Sequence, residues 1–174
     1  MGYREMPTLR IGELEAKIPI IQGGMGVGVS LSGLASAVAN EGGIGVIASA
    51  GIGMLEPDFQ KNFRGANRRA LRKEIKAARQ KTKGIIGANI MMALSDFNEL
   101  VLIAVDEGVD IIFVGAGLPL KMPGTFLTDS LTKTTTKIVP IVSSARAVKI
   151  IFEYWARAEN CSNRIFSARG KNYI

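Results

Sequence analysis

The chain has 174 residues, 47% of them hydrophobic and 21% charged, with a mean hydropathy of +0.21. These are values of a globular domain with a core and exclude a disordered chain. One cysteine, Cys161, and no histidine exclude an intrachain disulfide framework, cysteine-built zinc, histidine metal sites, and Ser-His-Asp or Cys-His catalysis within this polypeptide. The formal charge of +7 raises the question of a nucleic-acid partner, which the location of the charge has to answer.

In chain order, short apolar runs alternate with longer amphipathic ones, the pattern of parallel strands joined by crossover helices. The first predicted strand is Ile18–Gln22, followed by a glycine-rich loop. A helix comes next, with Leu31, Leu34, Ala35, Val38 and Ala39 on its inward face, stopped by Gly42 and Gly43. The stretch from Ile18 to Asn40 carries no charge and is long enough to be weighed as a membrane span. Its five glycines, Pro19 and three serines make a poor helix, and the residues before it lack a signal-peptide layout. A cytoplasmic protein without a membrane partner is therefore expected.

The second strand is Ile44–Ala48. Gly43-Ile44-Gly45-Val46-Ile47-Ala48 matches the letters of a dinucleotide-binding fingerprint. Such a motif follows a strand and opens a helix, whereas these glycines precede and lie inside the strand, so the context argues against a Rossmann site. A loop through Pro57 leads to a helix over Asn62–Lys83, with Leu71, Ile75 and Ala78 on one stripe. This helix holds nine basic residues against the single acid Glu74, so the rest of the chain is close to neutral. A solvated outer helix and a basic nucleic-acid-binding surface both fit that pattern. The absence of interleaved aromatic residues for stacking bases argues against the second.

The third strand is Ile85–Ile90. Its helix is expected to open with Asp96 as cap and Glu99 three residues on, to bury Phe97, Leu100, Val101, Ala104 and Val105, and to end at Gly108. The fourth strand, Ile111–Val114, feeds a Gly-Ala-Gly-Leu-Pro loop and a weak helix around Phe126–Thr132. The fifth is Ile138–Val142, followed by a helix burying Val148, Ile151, Phe152 and Trp155. From about Ala158 to the last residue the sequence has no period, so residues 1–157 form one unit and 158–174 an irregular tail resembling out-of-frame or junction sequence.

Four of the five strands end in glycine or small polar residues: Gly23-Gly24-Met25-Gly26, Ser49-Ala50-Gly51, Gly115-Ala116-Gly117 and Ser143-Ser144. The carboxyl edge of a parallel sheet is where α/β proteins bind ligands. Small residues there let a flat ring or a phosphate approach backbone N–H groups, while Asn89 at the third strand's end offers a donor and an acceptor together.

These segments carry a resemblance. Pro19-Ile20-Ile21-Gln22-Gly23-Gly24-Met25-Gly26-Val27-Gly28, Ala39 to Ile47, Gly87-Ala88-Asn89-Ile90-Met91, Asp110 to Gly117 and Val139-Pro140-Ile141-Val142-Ser143-Ser144 resemble, in order, the nitronate monooxygenase (2-nitropropane dioxygenase) family. That family is related to flavin-dependent enoyl-acyl-carrier-protein reductases. The resemblance implies an α/β chain forming about the first five βα units of a (β/α)8 TIM barrel, and an FMN-dependent oxidoreductase that oxidises alkyl nitronates with dioxygen. By the same resemblance Gln22, Gly23, Gly24 and Met25 line the flavin, Asn89 hydrogen-bonds its ring system, Gly115, Ala116 and Ser143 border cofactor or substrate, and Lys137 lies near the flavin edge. Family members continue into a sixth strand, a Gly-Gly-His motif whose histidine is the catalytic base, and glycine-rich loops for the FMN phosphate. None of these occurs in this sequence. A truncated, inactive chain without a catalytic residue of its own is therefore expected, together with self-association through open sheet edges.

Overall fold

The computed structural model of the protein describes residues 6–120 and 135–159. It opens with a short antiparallel hairpin, β1 (Leu9–Ile11) and β2 (Leu14–Ala16), turned at Gly12 with φ +59°. Then follow α1 (Ser32–Asn40), β3 (Ile44–Ala48), α2 (Phe63–Lys81), β4 (Ile85–Met91), α3 (Phe97–Asp106), β5 (Ile111–Gly115), β6 (Lys137–Pro140) and α4 (Ala145–Glu159). The strands β3 to β6 form one parallel sheet in sequence order.

Residues 18–22 run parallel along the free edge of β3. Ile18 donates to the Gly42 carbonyl, Ile44 to that of Ile20 and Gln22 to that of Ile44, all within 3.0 Å. The first predicted strand thus exists as an extended segment, and the sheet reads as five parallel strands in barrel order. Residues 43–48 lie before and within β3, not in a turn that opens a helix, which agrees with the reading against a dinucleotide site.

Alternation along the strands separates two apolar clusters. On the outer face Ile47, Ile86, Ala88, Ile90, Ile112 and Val114 pack beneath Ala35 and Ala39 of α1, Leu71, Ile75 and Ala78 of α2, and Leu100, Val101 and Ala104 of α3. On the inner face Ile44, Val46, Ile111 and Phe113 meet Ala16, Leu9, Ile11 and Leu14 of the hairpin. Burial of these aliphatic side chains, at roughly 1.5–3 kcal/mol each, holds the sheet between its helices and the hairpin. The hairpin precedes the first predicted strand, Ile18–Gln22, and no predicted element corresponds to it.

Several expectations need correction. Leu34 of α1 is exposed, and Ser32 and Ser36 join Ala35 and Ala39 on the buried face. Asp96 does not cap α3 with its side chain. It is buried, and its carboxylate accepts a 2.8 Å hydrogen bond from Asn67 of α2, which links two helices where a cap was expected to serve one. In α4, Ile151 and Trp155 are buried but Phe152 is 49% exposed, because only one stripe of the helix meets the sheet. The weak helix around residues 126–132, Cys161 and the tail beyond residue 159 lie outside the described residues. Among the described residues no helix is long and apolar enough to cross a membrane.

Candidate functional site

At the carboxyl end of the sheet the loop of residues 23–30 is held by two side chains. The Gln22 carboxamide prolongs the ladder beside β3, donating from Nε2 to the Val46 carbonyl (3.0 Å) and accepting from the Val46 N–H (3.2 Å). Ser30 is buried. Its hydroxyl accepts from the Met25 N–H (2.9 Å) and donates to the Gly23 carbonyl (3.0 Å), while its own backbone bonds Met25 and Ala48. The glycine loop is thereby a folded object tied to β3 and not a loose flap.

This fixation brings Gly24 onto Asn89. A Cβ on Gly24 would lie 2.5 Å from the Asn89 Cβ, so only glycine permits the approach. Asn89 is half-buried on β4, pairs with Ala48 on one side and Phe113 on the other, and its carbonyl accepts from Ser49 (3.0 Å). Among the described residues its side-chain amide has no hydrogen-bond partner. A donor and an acceptor standing half-buried without partners are costly unless a ligand or water takes them. Beneath this rim the Phe113 ring covers Gly87, where a Cβ would come within 2.7 Å of the ring.

Across the sheet, Gly115 ends β5 with Ile141 as the neighbour of its open side (3.5 Å). Ala116 follows with φ +55°, a left-handed conformation that costs a non-glycine residue about 1–2 kcal/mol. Strain of this kind is concentrated where a ligand is held. Ser143 is exposed in the loop after β6, and its neighbour Ser144 caps the Ala147 N–H of α4 (3.2 Å). The buried Trp155 donates from Nε1 to the Pro119 carbonyl (2.8 Å), which ties α4 to the loop after β5.

Gln22, Gly23, Gly24, Met25, Asn89, Gly115, Ala116 and Ser143 therefore all stand at the carboxyl edge of one sheet. Lys137 does not join them. It is the first residue of β6, paired in register with Ile111 at the opposite end of β5, and its ammonium holds Glu13 in the hairpin turn. Gln22 also takes a different place from the one expected, since both ends of its amide serve β3. Ser30 was missed, though a serine closing a charge-free glycine run is a visible signal for a loop staple.

The matched family model is that of the nitronate monooxygenases, over residues 8–159. The chain belongs to the nitronate monooxygenase family. Members of that family are flavin-dependent oxidoreductases. Among solved structures, that of FabK from Thermotoga maritima is similar with a TM-score of 0.59 and 31% identity, covering 78% of this chain and 37% of that one. A nitroalkane oxidase from Streptomyces ansochromogenes gives a TM-score of 0.58 at 18% identity, over 78% and 43%. The chain thus spans about two fifths of the length of these structures. No curated protein sequence matches it. The five parallel strands and the four described helices correspond to about the first five βα units of the TIM barrel, with the nitronate monooxygenase motifs on the edge where such barrels place their ligands.

The basic helix α2 is largely committed to intramolecular pairs. Arg68 meets Glu99, Arg69 meets Asp58 and Glu56, Arg72 and Lys76 meet Glu107, and Arg79 meets Asp110. Three of these arginines line the groove between α2 and α3 with acids of the same fold beside them. Among the described residues no group of His, Cys, Asp or Glu is placed to hold a metal ion.

Proposed function

We propose that this chain forms the flavin-facing half of an FMN-dependent enzyme that oxidises alkyl nitronates with dioxygen. The observation that carries the reading is the seating of Gly24 against Asn89. A cradle that any Cβ would fill stands beside a side-chain amide with no partner among the described residues, which suits the planar edge of an isoalloxazine. The backbone of Gly23, Gly24 and Met25 would line the ring, Asn89 would hydrogen-bond it, and Gly115, Ala116 and Ser143 would border the ring and the substrate. Ser30 and Gln22 hold the glycine loop in place for that purpose.

FMN held there would supply the redox chemistry between nitronate and dioxygen. The protein's share is to exclude water from one face of the ring and to fix its orientation through Asn89. No histidine occurs in the sequence, so we expect the 174-residue polypeptide alone to show no nitronate turnover.

FMN titration, followed by quenching of flavin fluorescence, tests the reading. Asn89→Leu and Gly24→Val should each weaken binding at least tenfold, about 1.4 kcal/mol, with unfolding midpoints close to the parent's for Asn89→Leu. Unchanged affinity in both variants would remove the flavin from this edge. The likeness to FabK at 31% identity favours a second reading, an enoyl-acyl-carrier-protein reductase-like protein on the same flavin site. Dependence of turnover on reduced nicotinamide in a longer form of the protein decides between the two. For the basic helix, the ion pairs of α2 favour a structural role over a nucleic-acid partner.

A further inference from the structure

The outer layer of helices holds a cleft that the sheet edge does not use. It lies between α2 and α3, has a volume of about 460 Å³, and is lined by Arg68, Arg69 and Arg72 together with Asn62 and Glu99. Leu102 and Ile103 of α3 supply its apolar wall. The volume falls in the range of about 300–1,000 Å³ typical of small-molecule sites.

Ion pairs hold these arginines in place without consuming them. Arg69 meets Asp58 and Glu56, Arg72 bonds Glu107 through Nε at 2.6 Å, and Arg68 lies 3.4 Å from Glu99 without a hydrogen bond. Three guanidiniums carry about fifteen N–H donors. Among the described residues only the hydrogen bonds to Asp58 and Glu107 draw on them. All three side chains are close to half-exposed, which leaves the unused donors open to a ligand. The start of α2 adds to the same field: Asn62 accepts from the Gly65 N–H, and no acid occupies the first turn of this 19-residue helix, so the positive end of its dipole is not neutralised there.

We propose that this cleft binds a compact phosphate monoester, with the dianion on Arg68 and Arg69 and the organic part against Leu102 and Ile103. Arginine forks match pairs of phosphate oxygens, and arginines already oriented by acids lose less freedom on binding. The same acids limit the size of the anion. Glu56, Asp58, Glu99 and Glu107 are paired to the arginines, so a polyanion such as RNA would bring further phosphates against carboxylates. A single phosphate avoids them and leaves Glu99 to accept from a hydroxyl of the ligand. The proposal is independent of the flavin reading.

Calorimetry on the 174-residue polypeptide with ribose 5-phosphate, ribose and a single-stranded RNA oligonucleotide tests it, with a urea midpoint recorded for every variant. Ribose 5-phosphate should bind and ribose should not. Arg68→Gln/Arg69→Gln should weaken binding at least about tenfold. Arg68→Lys/Arg69→Lys, which keeps the charge and loses the forks, should also weaken it. Lys73→Gln/Lys81→Gln makes the same change of charge on exposed positions of α2 outside the cleft. That pair, and Asn89→Leu at the sheet edge, should stay within about twofold of the parent. No binding of ribose 5-phosphate, equal losses in the two glutamine pairs, or full retention in the lysine pair for Arg68 and Arg69 would overturn the proposal. So would tighter binding of the RNA, by naming a polymer as the ligand, and loss of binding in Asn89→Leu, by moving the phosphate to the sheet edge.

Discussion

Gly45 and Glu74 show how single residues position this fold. Gly45 lies inside β3, and a Cβ there would overlap the Ala35 carbonyl of α1, so the helix can approach the sheet only over a bare Cα. Gly45→Ala is expected to cost about 1–3 kcal/mol, read as a lowered urea midpoint at unchanged slope. Glu74, the one acid among the nine cations of its segment, accepts a 2.8 Å hydrogen bond from the Ser32 N–H. That donor opens α1, where Leu31 brings no capping side chain, so α2 supplies the cap and a negative charge at the positive end of the helix. Glu74→Ala should lower stability by about 1 kcal/mol, checked by chemical denaturation. The anomaly of a lone acid is visible in the sequence, but its target lies 42 residues away, beyond the reach of any local pattern. The small residues of the candidate site were legible because glycine has few uses at a strand end. The clasp by Gln22 was not, since a carboxamide gives no hint whether it faces a ligand or a neighbouring strand.

Among the elements, long periodic ones were read most closely. The basic helix, expected over residues 62–83, runs as Phe63–Lys81, with Asn62 accepting from the Gly65 N–H at 3.1 Å and basic residues in the last turn where the dipole favours them. The β1–β2 hairpin escaped notice because each strand has three residues and carries a charge, Arg10 or Glu15, too little for an alternation to declare itself. Its turn is clasped by the Glu13 and Lys137 pair. A hydrogen bond from Lys137, then a backbone hydrogen bond and the charge of Lys137, hold the Glu13 carboxyl below its ordinary value. A carboxylate depressed in the folded state contributes above its unfolded pKa and loses that contribution as pH falls through the folded one. The clasp should therefore be complete at neutral pH and open only below the usual carboxylate range. An NMR titration of the hairpin amides should show a transition in acid, and Glu13→Gln should abolish it.

At the scale of the whole molecule, apolar side chains are exposed at both sides of the sheet. Ile20, Ile21 and Leu34 line one side, and Ile150, Phe152 and Tyr154 the other. Among the described residues both edges of the parallel sheet are without a further strand, and edges flanked by such residues invite pairing with another chain. We expect the 174-residue polypeptide to sediment with concentration-dependent mass and Ile150→Lys/Phe152→Lys to shift it toward monomer; a monomer at all concentrations in the parent would contradict this. The order of the parallel strands, the positions of α1 to α4 and the small residues at strand ends were determined by the sequence, because hydrophobic period and glycine placement are local consequences of backbone geometry. Which apolar positions are covered, that Lys137 faces the hairpin while Asn89 meets Gly24, and that Asp96 bonds Asn67 instead of capping its own helix were decided only by the tertiary structure. Each of these depends on which segment distant along the chain arrives against a given face, and periodicity fixes the face of an element without naming what packs on it.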